Sequence, residues 1–152
     1  MEKKDKYNVG KEQKDIEKRT FGNVIFASEM EMKYYRDVLL PEQKNGIIEK
    51  IIIQPRYLLQ PKFHKYEKSH QPINYVSDFE VSYSDGRIIT IDIKGQATEA
   101  AKIKRKIWDF VYPKRILLWI TLSQKYGGWI EYDELIKIRA KNKRNKHANE
   151  SL

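Results

Sequence analysis

The stretch that decides the fold is YVSDFEVSYSDGRIITIDIK, residues 75–94. Two runs rich in β-branched and aromatic residues flank the turn sequence Ser-Asp-Gly at residues 84–86, and this pattern predicts a β-hairpin. Such a hairpin carries Asp78, near the start of its first strand, to the same end as Asp92 and Lys94, near the end of its second. Two carboxylates and one ammonium group are therefore expected to meet there.

The length of the turn decides whether the two carboxylates share a face, because side chains alternate along a strand. A two-residue turn would place Asp78 and Asp92 on opposite faces. A three-residue turn, with Gly86 in the left-handed conformation, pairs Tyr83 with Arg87 and places the two carboxylates opposite each other. The sequence permits the shared face with this turn, or with a bulge elsewhere in the hairpin.

The residue types in the expected cluster suit a particular chemistry. Two carboxylates with a lysine are the minimum set for holding a divalent cation against a phosphodiester and managing the attacking water. The simpler alternatives are an exposed edge position for Asp92 and a solvated strand end for Lys94. Aspartate is unfavourable among apolar strand residues, which favours a functional role for Asp78 and Asp92.

Composition limits the class of protein. The chain has 152 residues, 30 Lys and Arg against 21 Asp and Glu, a net charge of +9 and no cysteine. This length predicts one domain, the absence of cysteine excludes disulfides and thiolate metal sites, and the basic excess favours a nucleic-acid partner over a merely soluble surface. No apolar run reaches the ~20 residues of a membrane span, and no signal peptide is recognisable, so a cytoplasmic location is expected.

Local patterns predict an α/β domain at residues 21–135, between a flexible charged arm or short helix at 1–20 and a basic helix end or tail at 136–152. Three helices are expected. The first runs from the cap Ser28 to Pro41, the second covers 99–111, and the third begins at Asp133 and ends in the basic run 141–146. The strands are expected at 47–53, at 57–66 with a break at Pro61, in the hairpin, at 116–122 and at 129–131.

The spacing of Asp78, Asp92 and Lys94 resembles the motif of the PD-(D/E)XK nuclease superfamily, with Ser77 in place of the motif proline. A narrower similarity, over about residues 26–113, resembles a family of small phage-encoded proteins described as endonucleases or Holliday junction resolvases. The segments that carry it are SEME at 28–31, LQPKF at 59–63, YVSDF at 75–79, DIKG at 92–95, KIKRK at 102–106 and YP at 112–113. The predicted order of elements also matches the α-β-β-β-α-β core of the superfamily, a mixed central sheet flanked by helices.

The resemblance implies a metal-dependent endodeoxyribonuclease that uses Mg²⁺, with Mn²⁺ able to substitute, and leaves a 5′-phosphate and a 3′-hydroxyl. It implies that Asp78, Asp92 and the carbonyl of Ile93 hold the metal. Glu31 is implied as the ligand of a second ion or of a metal-bound water, and Lys94 as the residue that assists the attack.

Two glutamates compete for the helix position of the site. Glu31 lies three residues after Ser28, as in the family, but it also has a structural role as the partner of that cap in a capping box. Glu29 is the alternative.

A second basic cluster lies in the helix expected after Lys94. An apolar stripe of Ile103, Ile107 and Phe110 is expected to face the core and leave the basic residues on other faces. The alternative to DNA contact is plain solvation. The predicted DNA-binding residues are Gln96, Thr98, Lys102, Lys104, Arg105 and Lys106.

The expected partner is branched DNA, because a short basic chain without a separate sequence-reading domain suits recognition of DNA shape and backbone. Resolving a four-way junction requires two nicks, so a homodimer is expected, with apolar residues at 47, 51, 53, 58 and 59 available for its interface. Two other classes stay open. One is a non-catalytic DNA-binding or replication or recombination accessory protein with the same fold, and the other is a phage protein that binds a host protein.

Overall fold

The structure, a computed structural model, describes residues 11–151. Its helices are α1 (Gln13–Lys18), α2 (Glu29–Tyr34), a π-helical turn (Tyr35–Leu39), α3 (Leu40–Lys44), α4 (Glu99–Val111) and α5 (Tyr132–Glu150). Its strands are β1 (Thr20–Phe21), β2 (Val24–Ile25), β3 (Ile48–Ile53), β4 (Arg56–Gln60), β5 (Phe63–Lys65), β6 (Lys68–His70), β7 (Ile73–Val76), β8 (Phe79–Tyr83), β9 (Ile88–Ile93), β10 (Ile116–Ser123) and β11 (Gly128–Glu131). The first half of the predicted N-terminal arm and Leu152 lie outside the described residues, and the second half of the arm contains α1.

A five-stranded sheet has the strand order β11-β10-β9-β8-β3. Strand β10 is parallel to β9 and antiparallel to β11, so the sheet is mixed. The parallel pair needs a crossover connection, which α4 supplies. The predicted α/β class with a mixed central sheet is confirmed.

The described chain divides into two compact units. Unit 1 comprises residues 11–53 and 80–88, and unit 2 comprises residues 54–79 and 89–151. The core of unit 2 is aromatic, with Trp108 fully buried at its centre. The other buried members of this core are Tyr57, Leu59, Tyr75, Leu117 and Trp119.

The face that α4 buries differs from the expected one. Trp108 is 0% exposed, whereas Ile103 is 60% exposed and Phe110 84% exposed. The predicted apolar stripe was therefore wrong for two of its three members, and only Ile107 packs against the core. The large indole buries more apolar area than isoleucine does, and it fixes the helix rotation with Ala101 on the same side.

Besides α1, unit 1 contains a helical stretch in three parts, namely α2, the π-helical turn and α3. Ser28 caps α2 as predicted, accepting a hydrogen bond from the Glu31 amide at 3.1 Å. Pro41 does not end the helix, which corrects the prediction, because the helix continues as α3 to Lys44. The Leu40 amide bonds to the Tyr35 carbonyl in the π-helical pattern, so the proline falls in the first turn of α3, where a missing N–H is tolerated.

The turn between β8 and β9 is the three-residue turn, one of the arrangements that the sequence permitted. The Gly86 amide donates to the Tyr83 carbonyl at 3.0 Å, and the Tyr83 amide donates to the Arg87 carbonyl at 2.8 Å. Gly86 has a φ of +90°, in the left-handed region. Of the alternatives, the structure therefore has the one in which Tyr83 pairs with Arg87.

The C-terminal helix is longer than expected. The helix was predicted to end in the basic run at 141–146, but α5 continues to Glu150. Lysine and arginine are good helix formers, and acidic residues towards both ends of α5 pair with its lysines. Lys137 bonds Glu134 at 2.8 Å, and Lys146 lies 3.8 Å from Glu150. Across residues 11–151, the structure has no helix with the length and apolar character that a membrane span requires.

Candidate functional site

The Ser77-Asp78 pair forms a bend between β7 and β8, where the sequence had predicted one continuous strand. The buried Ser77 hydroxyl donates to the Ile91 carbonyl at 2.6 Å, and the Asp78 amide donates to the same carbonyl at 3.2 Å. The Asp78 carbonyl in turn accepts from the Gln54 amide at 2.8 Å. These bonds fix the start of β8 against β9 by backbone and side chain together.

The carboxylate of Asp78 is held against β9. Its Oδ2 accepts a hydrogen bond from the Ile93 amide at 2.6 Å. A hydrogen bond to an ionised acceptor is short and strong, so this bond orients the carboxylate. The structure therefore brings Asp78 to the residue that follows Asp92.

Asp92 is a buried carboxylate with a charged partner. It is 4% exposed, and its Oδ2 lies 2.6 Å from Nζ of Lys94. The side chains of Asp92 and Lys94 project from one face of β9, as strand alternation predicted. A buried carboxylate needs such a partner because burial without one costs several kcal/mol, on the order of 3–5 for a broken pair.

Tyr75 is the neutral partner of the same carboxylate. Its hydroxyl donates to Asp92 Oδ2 at 2.5 Å and accepts from Nε1 of Trp119 at 2.8 Å. Burial raises the pKa of Tyr75 far above its ordinary value, and the charge of Asp92 raises it further. The charge of Asp78 acts on this pKa in the same direction. The hydroxyl therefore remains a donor to Asp92 over the physiological pH range.

Two cations lie beside the ring of Trp119. Nζ of Lys94 is 5.1 Å from the ring centroid and Cζ of Arg105 is 4.4 Å from it, both within cation–π range. Arg105 also makes two hydrogen bonds to Asp133, at 3.0 and 2.5 Å. These bonds lower the pKa of Asp133 and raise the pKa of Arg105, so the pair stays charged.

The six predicted DNA-binding residues have unequal surroundings. Lys104 donates to the Asn74 carbonyl at 3.1 Å, and Lys102 pairs with Glu99 at 2.9 Å. Thr98 caps α4, accepting from the Ala101 amide at 3.1 Å. Gln96 and Lys106 are exposed, and Arg105 is held by Asp133.

Glu31 belongs to unit 1 and is buried there, with 8% of its surface exposed. Its Oε1 accepts from the Ser28 hydroxyl at 3.0 Å. Glu29, the competing glutamate, pairs with Lys33 at 2.9 Å and keeps 49% of its side chain exposed. The structural role expected for Glu31 at the helix cap is therefore real.

Sequence reasoning missed two residues of this cluster. Tyr75 precedes Asp78 by three positions in a strand-like run, and Trp119 lies in the run expected as a strand at 116–122, so neither was predicted as a site residue. The pairing of Trp119 with Asp92 in the parallel β9–β10 ladder brings the indole to the site. Over the described range, 11–151, no group of three or more His, Cys, Asp or Glu side chains is placed to hold a metal ion.

One family model matches the chain, over residues 6–128, and its description is "Protein of unknown function (DUF1064)". The match covers most of the chain, which therefore belongs to the DUF1064 family. Comparisons with curated proteins and with solved structures found no match.

Proposed function

We propose that the chain is a phage-encoded, metal-dependent DNA endonuclease of the PD-(D/E)XK type. The observation that carries the proposal is a buried Asp92 paired at 2.6 Å with Lys94, next to the carboxylate that Asp78 anchors on the Ile93 amide. A buried ion pair contributes little net stability, and this favours a functional use for Asp92 and Lys94. The chain order helix, three strands of the sheet, helix, strand supports a nuclease-like core of α-β-β-β-α-β form.

The donor set fits Mg²⁺. Carboxylate and carbonyl oxygens are the ligands that this cation prefers, and Asp78, Asp92 and the Ile93 carbonyl supply them. By resemblance Glu31 supplies a further oxygen. When bound, the cation would act as a Lewis acid on the phosphodiester and lower the pKa of water.

The remaining residues have roles that follow from their contacts. Tyr75 and the Ile93 amide orient the two carboxylates, which would otherwise rotate away from a common point. The ammonium group of Lys94, 17% exposed, stabilises negative charge that develops on the phosphate. The net charge of +9 attracts a polyanionic substrate and supports DNA as the partner.

The proposed substrate is branched DNA, such as a Holliday junction, cut by a homodimer with paired sites. Ile47 and Leu58 expose about half of their surface, at 50% and 47%, and are available for an interface. Leu59, which the sequence had offered for the same role, is 7% exposed and belongs to the core of unit 2.

A cleavage assay tests the proposal. Four-way junction, flap, single-stranded and linear duplex DNA are incubated with the full chain in Mg²⁺, in Mn²⁺ and in EDTA. Cleavage that requires the metal and favours branched substrates is expected. DNA binding without cleavage in either metal would favour the accessory-protein class, and neither binding nor cleavage would favour a protein partner.

Tyr75→Phe is expected to lower cleavage about 10- to 100-fold, because residues that orient a metal ligand have effects of this size. The concentration of Mg²⁺ that gives half-maximal rate should rise, which a purely structural role of the hydroxyl would not produce. Tyr57→Phe is the matched control, since its buried hydroxyl bonds Thr90 Oγ1 at 2.9 Å in the same unit. An equal Mg²⁺ dependence of the two variants would assign Tyr75 to packing alone.

Glu31→Gln is expected to lower cleavage far more than Glu29→Gln, if Glu31 has the role that the resemblance implies. Loss of the cap interaction alone costs about 1 kcal/mol of stability. Rates are compared with thermal melting of both variants. Equal rates, or a loss of rate that follows the loss of folded protein, would leave Glu31 with its structural role at the cap.

A further inference from the structure

Strands β5 and β6 form a ribbon that pairs with no third strand within the described chain. Phe63 pairs with His70 across the ribbon, and their rings stack at 4.5 Å with an angle of 7°. Every residue from 61 to 69 is exposed. A two-stranded ribbon without a third strand presents nearly all of its side chains to a binding partner.

The tip of the ribbon carries an aromatic residue in an unfavourable conformation. Lys65 pairs with Lys68, so Tyr66 and Glu67 form the turn. Tyr66 has a φ of +54° and is 94% exposed. A bulky residue in the left-handed region is rare because its Cβ crowds the backbone, and glycine or asparagine would fit better. The fold buries almost none of this ring, so the ring contributes little to stability. The strained backbone therefore points to an interaction of the side chain with a binding partner.

The surroundings of the ring are basic. Lys65 and Lys68 lie on the ribbon, Lys62 directly precedes it, and Glu67 in its turn is the one acidic residue of this segment. Nζ of Lys65 is 5.9 Å from the ring centroid of Tyr66. An exposed aromatic ring beside basic residues is an arrangement that binds a nucleobase by stacking and the adjacent phosphates by charge.

We propose that the β5–β6 ribbon is a DNA-binding element in which Tyr66 stacks on a base exposed at a branch point. Lys65 and Lys68 neutralise phosphates on either side of that base. The base pairs inside a linear duplex are stacked on each other, so the ring gains a partner only where stacking is interrupted. A two-stranded ribbon also matches the width of the major groove, which allows the lysines to reach the backbone.

This proposal rests on the proposed function in taking DNA as the ligand, and it assigns the preference for branched DNA to one residue. Binding is therefore measured in EDTA, without cleavage, on branched DNA that carries 2-aminopurine at the branch point and on a linear duplex of the same sequence. Tyr66→Ala is expected to weaken binding to the branched DNA on the order of tenfold and to leave the duplex affinity nearly unchanged. The quenching of 2-aminopurine should disappear in Tyr66→Ala and remain in Tyr66→Phe.

Two further variants separate the roles of charge and fold. Lys65→Ala combined with Lys68→Ala should weaken binding to both DNA shapes and lower the slope of log affinity against log salt by about 2. Tyr66→Asn fits the left-handed turn, so it should melt at the same temperature as the parent or higher while losing the quenching signal. Phe110→Ala, which removes another exposed aromatic ring, should change neither the quenching nor the branch preference.

The outcomes separate the two proposals. Loss of quenching and of branch preference in Tyr66→Ala supports the ribbon as a DNA element even if no metal-dependent cleavage is found, which would overturn only the proposed nuclease. Unchanged branch preference in Tyr66→Ala, with cleavage intact, would overturn the ribbon proposal and leave the nuclease standing. Binding of the parent to phosphatidylserine vesicles that Tyr66→Ala loses, with DNA binding unchanged, would assign the ribbon to a membrane surface and overturn the DNA proposal as well.

Discussion

Asp92→Asn is expected to reduce DNA cleavage roughly 10³-fold while the protein stays folded. Asparagine has the size of aspartate, and its amide oxygen can still accept the hydrogen bond from Tyr75. What the variant removes is the negative charge, which both a divalent cation and Lys94 need at this position. Asp92 is buried and lies 2.6 Å from the ammonium group of Lys94, so the variant leaves that cation without its charged partner.

The measurement compares single-turnover cleavage of a substrate that the parent protein cuts, with thermal melting and DNA binding in EDTA as tests of the fold. Asp109→Asn is a matched control, because it removes an exposed carboxylate from α4 in the same unit. Cleavage by Asp92→Asn at the parent rate would remove Asp92 from the mechanism. A variant that neither binds DNA nor melts cooperatively would show a structural role for Asp92 instead.

The hairpin was the part of the fold that the sequence predicted best, for a local reason. Ser-Asp-Gly is suited to a three-residue turn, Gly86 tolerates the positive φ that this turn requires, and the turn sets the register of both strands. The helix α4 was also predicted with its observed bounds, because Thr98 caps it and Pro113 follows its end. Signals of this kind involve neighbouring residues and can be recognised in the sequence.

The partners of Asp92 could not be predicted in the same way. Trp119 reaches the site because β10 pairs with β9 after a long crossover, and the register of that parallel pair has no turn to fix it. Tyr75 reaches it because the chain bends at Ser77, where a hydroxyl bonds a carbonyl fourteen residues away. Both contacts depend on packing between distant segments, which local periodicity does not encode.

The prediction of which face of α4 is buried was wrong for a related reason. Ile103, Ile107 and Phe110 form one possible apolar stripe, and Ala101 with Trp108 forms another. The structure buries Trp108 against Tyr57 with ring centroids 5.9 Å apart, and it leaves Phe110 exposed. The sequence contains both stripes, so it does not by itself decide which of them faces the core.

Lys94→Gln is expected to destabilise the folded protein by about 3 kcal/mol and to reduce cleavage about 10²-fold or more. The side chains of Asp92 and Lys94 are only 6% and 17% exposed, so removing the cation leaves a buried charge with Tyr75 as its remaining partner. The double variant Asp92→Asn with Lys94→Gln removes both charges, so it should recover most of the stability and none of the activity.

Magnesium separates a metal site from a purely structural ion pair in these variants. If Asp92 binds the cation, millimolar Mg²⁺ neutralises the carboxylate that Lys94→Gln leaves without its lysine, and the melting temperature of this variant should rise more than that of the parent protein. The double variant, which lacks the carboxylate, should not respond. An equal response of Lys94→Gln and the double variant would mean that the pair stabilises the strand without a metal, and that Asp92 is not a ligand.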